Sequence, residues 1–219
     1  MQRILEPEVM DTWQEAIEYD AMDFTEVNRA FAESVIKLAP PAPATILDAG
    51  TGTARIPIFI AQMRPHWQLT CIDLSQNMLK VAKENIKQAN LESQINLQLV
   101  DAKKMPYPDA HFDLIISNSI IHHLHDPLPF FYEIKRVLKP NGGIFIRDLL
   151  RPASPQIVDT LVNQYTNNCN THQKQLFRDS LHAAFTLPEI HLMIEKTQLQ
   201  PINIYQSSDR HWTAEKTTI

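Results

Sequence analysis

Glycine is scarce in this sequence, so the position of each glycine is informative. Four glycines occur in the chain, where average usage would give roughly fifteen. Gly50 and Gly52 fall in one short turn, and Gly142 and Gly143 fall together further along. A chain this sparing with glycine is expected to keep it where a positive φ or a close approach to a ligand requires it.

Cysteine, basic charge and long apolar runs are also lacking, and each absence excludes a class of protein. Cys71 and Cys169 form neither a disulfide framework nor a cysteine-rich metal site, and reduced thiols favour a cytoplasmic location. The net charge of −5 argues against a nucleic-acid partner. No apolar window reaches about 18 residues, so no membrane span is predicted, and residues 1–8 lack the apolar core of a signal peptide.

The periodicity of the apolar residues predicts one α/β domain over residues 1–219. Alternating strand and helix patterns indicate a Rossmann-like, doubly wound parallel sheet. The predicted segments are an N-terminal helical cap (1–40), interrupted at 20–25 and stopped by prolines at 40–41, a sheet core (45–148), a helical lid (150–185), and a final helix with a hairpin (186–219). The link 206–210 is too short for a parallel crossover, so the hairpin is predicted to be antiparallel. Residues 139–143 are predicted to form a turn.

The stretch Thr45–Arg55 carries the strongest local signal. A strand pattern ends in Asp48, a turn with Gly50 and Gly52 follows, and a helical pattern begins at Ile56. Such a strand-to-helix turn presents a helix N-terminus and free backbone N–H groups, where α/β sheets bind nucleotide-like ligands. An ordinary tight turn is the alternative.

Polar side chains end four successive predicted strands. They are Asp48, Asp73, Asp101 and Asn118. Because the carboxyl ends of parallel strands share one edge, we expect these side chains to line one crevice. Asp73 follows the glycine turn at about the sequence spacing at which an acid accepts hydrogen bonds from ribose hydroxyls in nucleotide-binding folds. Asp101 then suits an adenine amine, and Asp48 either offsets a ligand ammonium or holds the loop. Taken singly, each acid is equally well explained as a helix N-cap or a solvated loop residue.

The loop departs from the dinucleotide fingerprint. Arg55 stands where the third glycine is required for close helix–strand packing. Asp48, two residues ahead of Gly50, would also repel a pyrophosphate. A ligand that carries an ammonium and a sulfonium fits better, with a nicotinamide dehydrogenase as a less favoured alternative.

The segment Asp48–Ala54 resembles the first motif of class I S-adenosylmethionine-dependent methyltransferases. Four further motifs follow in register: Ile72–Leu79, Asp101–Tyr107, the strand from Phe112 into Asn118, and Leu138–Gly143. The match covers residues 45–148, about half the chain, and is most similar to the ubiquinone/menaquinone biosynthesis branch. Its motifs are specific for the cofactor and not for the substrate.

This resemblance implies a seven-stranded sheet with an antiparallel last strand, and S-adenosyl-L-methionine as the cofactor of the 45–148 core. It implies that Asp73 binds the ribose, that Asp101 binds the adenine region, and that the Gly50–Gly52 loop binds the methionine part. Tyr19 would also contact the cofactor. The implied cofactor residues are Tyr19, Asp48, Gly50, Thr51, Gly52, Asp73, Leu74, Met78, Asp101, Ala102 and Asn118.

Histidines follow the fourth predicted strand at the same edge of the sheet. His122 or His123 is a candidate general base, because histidine titrates near neutral pH. The alternative is that one packs under the cofactor and the others are solvated. A metal site is not predicted, since no ligand set with the required geometry is evident. His211 is expected to pack within the last hairpin, and the alternative is that it reaches the substrate pocket from the far side.

Together these patterns predict methyl transfer to a small, partly apolar acceptor by in-line attack on the sulfonium methyl. Tyr165, Phe177 and Phe185 in and beside the lid are candidate pocket residues, although aromatic residues at helical spacing more often belong to the core. The stretch Asn118–Ile121 lacks the Asn/Asp-Pro-Pro-aromatic motif of enzymes that methylate adenine or glutamine amides, which disfavours those substrates. The alternative is a methyltransferase-fold module that binds the cofactor without turnover, in a regulatory or assembly role. The acceptor atom and the oligomeric state do not follow from the sequence.

Overall fold

The computed structural model describes residues 1–9, 11–39, 42–167 and 169–218, so the predicted proline stop at 40–41 lies outside the described residues. The α-helices and strands in chain order are α1 (Trp13–Asp20), α2 (Thr25–Val35), β1 (Ala44–Ala49), α3 (Arg55–Met63), β2 (Trp67–Asp73), α4 (Gln76–Gln88), β3 (Ile95–Leu99), β4 (Phe112–Asn118), α5 (Leu128–Val137), β5 (Leu138–Leu149), α6 (Pro155–Tyr165), α7 (Thr171–Ala183), α8 (Leu187–Thr197), β6 (Asn203–Gln206) and β7 (His211–Lys216).

The strands form one seven-stranded sheet in the order β3-β2-β1-β4-β5-β7-β6. β1 to β5 pair in parallel, and β7 is antiparallel to both of its neighbours. The predicted α/β class, the seven strands and the antiparallel last hairpin are therefore confirmed. The strand order reverses between β1 and β4, which is where open α/β sheets bind their ligands.

Helices cover both faces of the sheet and bury two apolar clusters. One cluster includes Phe130 on α5, Ile190 on α8 and Trp212 on β7. The other includes Phe31 on α2 and Trp67 on β2. Because both faces are covered, central strands such as β4 are nearly continuous apolar runs.

Local capping explains where several helices begin. The Ser75 hydroxyl accepts a hydrogen bond from the Met78 N–H at 3.2 Å and caps α4, as predicted. The predicted interruption between Asp20 and Thr25 is also present, since α1 ends at the first of these residues and α2 begins at the second. In the part of the chain that the structure describes, no helix combines the length and apolar character needed to cross a bilayer.

The predicted turn at residues 139–143 is wrong. Extended backbone continues through these residues as the first part of β5, and the pairing with β4 shifts from Phe112↔Leu138 to Leu114↔Gly143. The glycines serve close packing: a Cβ on Gly143 would lie 2.9 Å from Cδ1 of Leu114, and one on Gly142 would lie 2.5 Å from Cδ1 of Leu138. The composition therefore marks an irregularity within a strand and not a turn.

Candidate active site

Two adjoining cavities lie at the carboxyl edge of the sheet, around the ends of β1, β2 and β4. Four residues line both of them and form a common wall: Tyr19, Gly50, Gly52 and Asn118. The first cavity lies between the N-terminal helices and the β1–α3 loop, and the second follows the ends of β2 and β3. All eleven residues implied for cofactor binding line at least one cavity, so the structure brings the set together; the role of each stays a prediction.

The backbone of the glycine loop folds back onto β2. The N–H groups of Gly50 and Thr51 both donate to the Ile72 carbonyl oxygen at 2.9 Å, and the Gly52 N–H donates to Asp73 at 2.8 Å. The expected free N–H groups are therefore absent at these three positions, and that expectation is wrong. A phosphate would therefore have no N–H donor at positions 50–52. A ligand that is recognised by carboxylates and by shape does not need one.

Arg55 ties the N-terminal cap to the loop. Its guanidinium makes two hydrogen bonds to Asp20, at 2.8 and 2.6 Å. Asn85 on α4 donates to the same Asp20 carboxylate at 2.9 Å and to the Thr53 carbonyl at 3.0 Å. The end of α1, and with it Tyr19, is thereby held over the loop.

Asp73 organises the second cavity. Its carboxylate accepts hydrogen bonds from Gly52 N–H at 2.8 Å and from Ser75 N–H at 2.9 Å. Burial raises the pKa of Asp73 despite these donors. The carboxylate therefore fixes the loop and keeps capacity to accept further hydrogen bonds from a ligand.

Asp48 is the most unusual acid of the site. Its side chain is 3% exposed, and its Oδ2 has no hydrogen-bond partner among the described residues. Burial, reinforced by the nearby Asp73, raises the pKa of Asp48 to about 7. The Thr51 hydroxyl lies beside the carboxylate and partly offsets this rise in pKa. A buried carboxylate oxygen without a partner fits a ligand that brings a positively charged donor.

Asp101 lies at the rim of the second cavity, with 39% of its side chain exposed. It accepts a hydrogen bond from the Lys103 N–H at 2.8 Å, while the Lys103 ammonium lies 2.7 Å from Glu8. Tyr19 closes the opposite side, where a Cβ on Gly52 would lie 3.7 Å from its Cε1. Burial, with the nearby Asp73, raises the pKa of the Tyr19 phenol, so it remains a neutral donor.

The two candidate histidines have different surroundings. His123 lines the second cavity, whereas His122 is buried behind it and its Nδ1 contacts Asp148. Burial opposes charge on His122, but the Asp148 carboxylate outweighs it and raises the pKa. Burial, aided by His122, lowers the pKa of His123 to about 3. His123 is thus placed to touch a ligand but is a weak base, and its proposed role in proton transfer stays a prediction.

Residues 1–9, which we call the N-terminal strap, cross the site. The Arg3 guanidinium donates to the carbonyl oxygens of His122 at 3.0 Å and Leu124 at 2.8 Å, and also to Ala183 at 2.6 Å. It stacks 3.8 Å from the centroid of the Phe185 ring. The sequence gives no local signal for these contacts, because the partners are distant along the chain and the strap has no periodic pattern.

Comparison with known proteins agrees with this geometry. A family model described as a methyltransferase domain matches residues 42–216. The chain belongs to this methyltransferase family. It is 34% identical over 113 residues to the demethylmenaquinone methyltransferase of Listeria welshimeri, an alignment that covers 50% of this chain and 47% of that protein. The chain thus aligns with about half the length of the curated relatives it matches.

Solved structures of other methyltransferases share the fold. A SAM-dependent methyltransferase from Aquifex aeolicus has a TM-score of 0.67 at 20% identity, covering 95% of this chain and 99% of that one. Phosphoethanolamine N-methyltransferase 2 of Haemonchus contortus, solved with S-adenosyl-L-methionine, has a TM-score of 0.70 at 21% identity, covering 90% of this chain and 44% of that one.

The aromatic candidates of the methyltransferase lid do not line either cavity. The Tyr165 hydroxyl donates to Asp209 at 2.7 Å at the surface, Phe177 packs against the core between α6 and α7, and Phe185 is buried under Arg3. His211 packs in the last hairpin, as expected, with its Nδ1 2.9 Å from the Ser208 hydroxyl.

Gly50→Ala should destabilise this methyltransferase more than Gly52→Ala. Both glycines have positive φ, +78° and +55°, but a Cβ on Gly50 would lie 2.0 Å from Cγ2 of Ile120, whereas Gly52 has room. We expect Gly50→Ala to lower the free energy of unfolding by about 1–3 kcal/mol more than Gly52→Ala does, which is the usual cost of overpacking. Urea denaturation measures the difference. Equal losses would contradict the packing explanation, and Ile120→Ala in the Gly50→Ala background should recover part of the loss.

Proposed function

We propose that this chain transfers a methyl group from S-adenosyl-L-methionine to a small-molecule acceptor. The observation that carries the proposal is the unpaired, buried Asp48 carboxylate beside a loop whose N–H groups at 50–52 are already bonded. Such a wall favours a cationic amino-acid group and disfavours a pyrophosphate. Membership of the methyltransferase family supports the reaction.

The residues around the two cavities fit the chemical parts of this cofactor. Asp48 would accept from the ammonium, and Asp73 would accept from the ribose hydroxyls. Asp101 at the rim would accept from the adenine amine. Tyr19, neutral and positioned between the cavities, would cover the bond between the methionine and ribose parts.

Catalysis would come from positioning in a pocket closed to water. The cofactor supplies an electrophilic methyl group, and the protein holds the acceptor nucleophile in line with it, which lowers the entropic part of the barrier. The wall of the second cavity near His123 includes the apolar side chains of Val9, Ile120 and Leu124, which suits a partly apolar acceptor. The N-terminal strap and residues 150–185 would exclude water above it.

A weak base in this wall narrows the acceptor class. With a pKa near 3, His123 would take a proton poorly from an aliphatic alcohol or an ammonium group. Acidic or electron-rich nucleophiles, such as phenols and hydroquinones, need less help. The names of the demethylmenaquinone relatives point to the same class.

A cytoplasmic location forms part of the proposal and rests on the free thiols of Cys71 and Cys169.

Calorimetry followed by a transfer assay tests the proposal. We expect S-adenosylmethionine and S-adenosylhomocysteine to bind and NAD not to bind. A labelled methyl group should then appear on a member of a panel of hydroquinones, phenols and amines. Binding of both cofactor forms with no labelled product from any extract would favour the non-catalytic module. Binding of NAD alone would overturn the proposal.

A further inference from the structure

Behind the second cavity, three side chains from distant parts of the chain converge. Glu6 of the strap approaches His122 and His123, and one ligand atom from each residue lies within 4.8 Å of the other two. The Glu6 side chain is 8% exposed, and that of His122 is 4% exposed. The cluster joins the strap to the loop after β4, and neither the cofactor residues nor the proposed transfer reaction requires it.

We propose that Glu6, His122 and His123 bind a divalent transition metal ion, with Zn²⁺ the best fit. The ligands would be Oε1 of Glu6, Nε2 of His122 and Nδ1 of His123. Two imidazoles and one carboxylate form a set that zinc accepts, whereas Mg²⁺ and Ca²⁺ prefer oxygen ligands alone. This proposal does not depend on the methyl-transfer proposal.

Two of the three distances between the ligand atoms are close to the edges of a zinc tetrahedron, and the third is within 4.8 Å. Zinc–ligand bonds of about 2.0–2.1 Å place neighbouring ligand atoms roughly 3.3–3.4 Å apart. Oε1 of Glu6 lies 3.1 Å from Nδ1 of His123 and 3.5 Å from Nε2 of His122. These separations are longer than the roughly 2.7–2.9 Å of a charge-assisted hydrogen bond. The oxygen makes no hydrogen bond of acceptable geometry among the described residues, which is expected when each nitrogen points at a common ion instead.

The surroundings of His122 fix the ring in the form that binds metal. Its Nδ1 contacts the buried Asp148 carboxylate, so that nitrogen carries the proton and donates it. Nε2 of His122 then faces Oε1 of Glu6. A metal ion between these two atoms would take the place of the proton that Nε2 otherwise carries. A carboxylate that orients the far nitrogen of a histidine ligand is a common partner in zinc sites.

The other ligands are also held in place. The Ser180 hydroxyl donates to Oε2 of Glu6 at 3.1 Å, which turns Oε1 toward the histidines. Nδ1 of His123 also lies 3.3 Å from the Pro7 carbonyl oxygen, so the metal-free ring would donate there and would lose that proton on binding. Three protein ligands leave one position open, and His123 lines the cavity. The ion would fasten the strap over the cavity and present that position to a ligand.

Metal titration of the chelator-stripped, untagged full chain tests the site. We expect one equivalent of Zn²⁺ to bind, and Co²⁺ in its place to show the visible bands of tetrahedral cobalt. Glu6→Ala and His123→Ala should each weaken zinc binding by more than about 100-fold. Ser180→Ala should weaken it by about 10- to 100-fold, the usual cost of losing an outer partner of a ligand.

Two matched variants control for loosening of the strap and for non-specific histidine binding. Glu8→Gln alters the strap acid that pairs with Lys103, and His191→Ala removes an exposed histidine on α8. Both should bind zinc as the wild type does. Zinc should raise the melting temperature of the wild type and of these controls, but not that of Glu6→Ala. Absence of stoichiometric binding at micromolar zinc, or unchanged binding in Glu6→Ala and His123→Ala, would overturn the proposal and leave a proton as the cation of this cluster.

Discussion

Replacing Asp73 by alanine should weaken S-adenosylmethionine binding by about 10- to 100-fold. A hydrogen bond to a charged group contributes roughly 1.5–3 kcal/mol, which corresponds to this range. The same carboxylate holds Gly52 N–H and Ser75 N–H, so its loss also frees the loop that closes the cavity. Calorimetry on the purified variant measures the change. An unchanged affinity would contradict the assignment of Asp73 to the ribose.

Comparison with Asp101 and with a modified ligand separates binding from loop support. Asp101→Asn should weaken binding less, because Asp101 is partly exposed and does not hold the glycine loop. A cofactor analogue without the ribose hydroxyls should bind the wild type more weakly than the natural cofactor does. Asp73→Ala should discriminate little between the two ligands. Full discrimination by the variant would mean that the acid supports only the loop.

Asp48→Asn should stabilise the folded protein above pH 7 while it weakens cofactor binding. Burial raises the pKa of Asp48 from 3.8 to about 7. Between these values the unfolded chain has lost the proton and the folded chain keeps it, so the contribution of Asp48 to stability falls as pH rises and then stays constant. Removing the buried charge should raise the free energy of unfolding at pH 8 by roughly 2–4 kcal/mol. At pH 4 the difference should vanish.

The affinity for the cofactor should rise with pH, whereas the contribution of Asp48 to stability falls. If the ionised Asp48 carboxylate binds the ammonium, the affinity of the wild type should fall by up to about tenfold for each pH unit below 7. Asp48→Asn should bind at least about tenfold more weakly at pH 7.5 and lack this pH dependence, so the ratio of the two affinities isolates Asp48 from other titrating groups. Urea denaturation and calorimetry across pH 4–8 supply both readouts. A variant less stable than the wild type at pH 8 would contradict the buried-charge explanation.

The sheet and the collection of acids at one edge were predictable because both rest on local patterns. Apolar residues dominate β1, β2 and β4, and a polar residue lies at or next to the end of each of them. Once the strands are parallel, sheet geometry brings Asp48, Asp73 and Asn118 to the same edge. The register of β1 against its neighbours is not needed for that conclusion.

The wrong or missing predictions depend on contacts between distant segments. Whether Gly50 N–H is free depends on where the Ile72 carbonyl lies, and that is set by the register of β1 and β2. Residues 139–143 have the composition of a turn, but they lie within β5, where the pairing with β4 shifts from Phe112↔Leu138 to Leu114↔Gly143. Arg3 and His122 are 119 residues apart. No periodicity connects the strap to the loop after β4, so the sequence does not identify Glu6 as a third metal ligand.

The wall shared by the two cavities has a kinetic consequence. Tyr19 lines both the cavity that holds Asp48 and the one that holds Asp101, and its helix is fixed by the pairing of Asp20 with Arg55. Because Tyr19 would cover one elongated molecule that occupies both cavities, the ring has to open when that molecule enters. Association would then include a unimolecular step, and the observed rate would level off at high ligand concentration instead of rising in proportion to it.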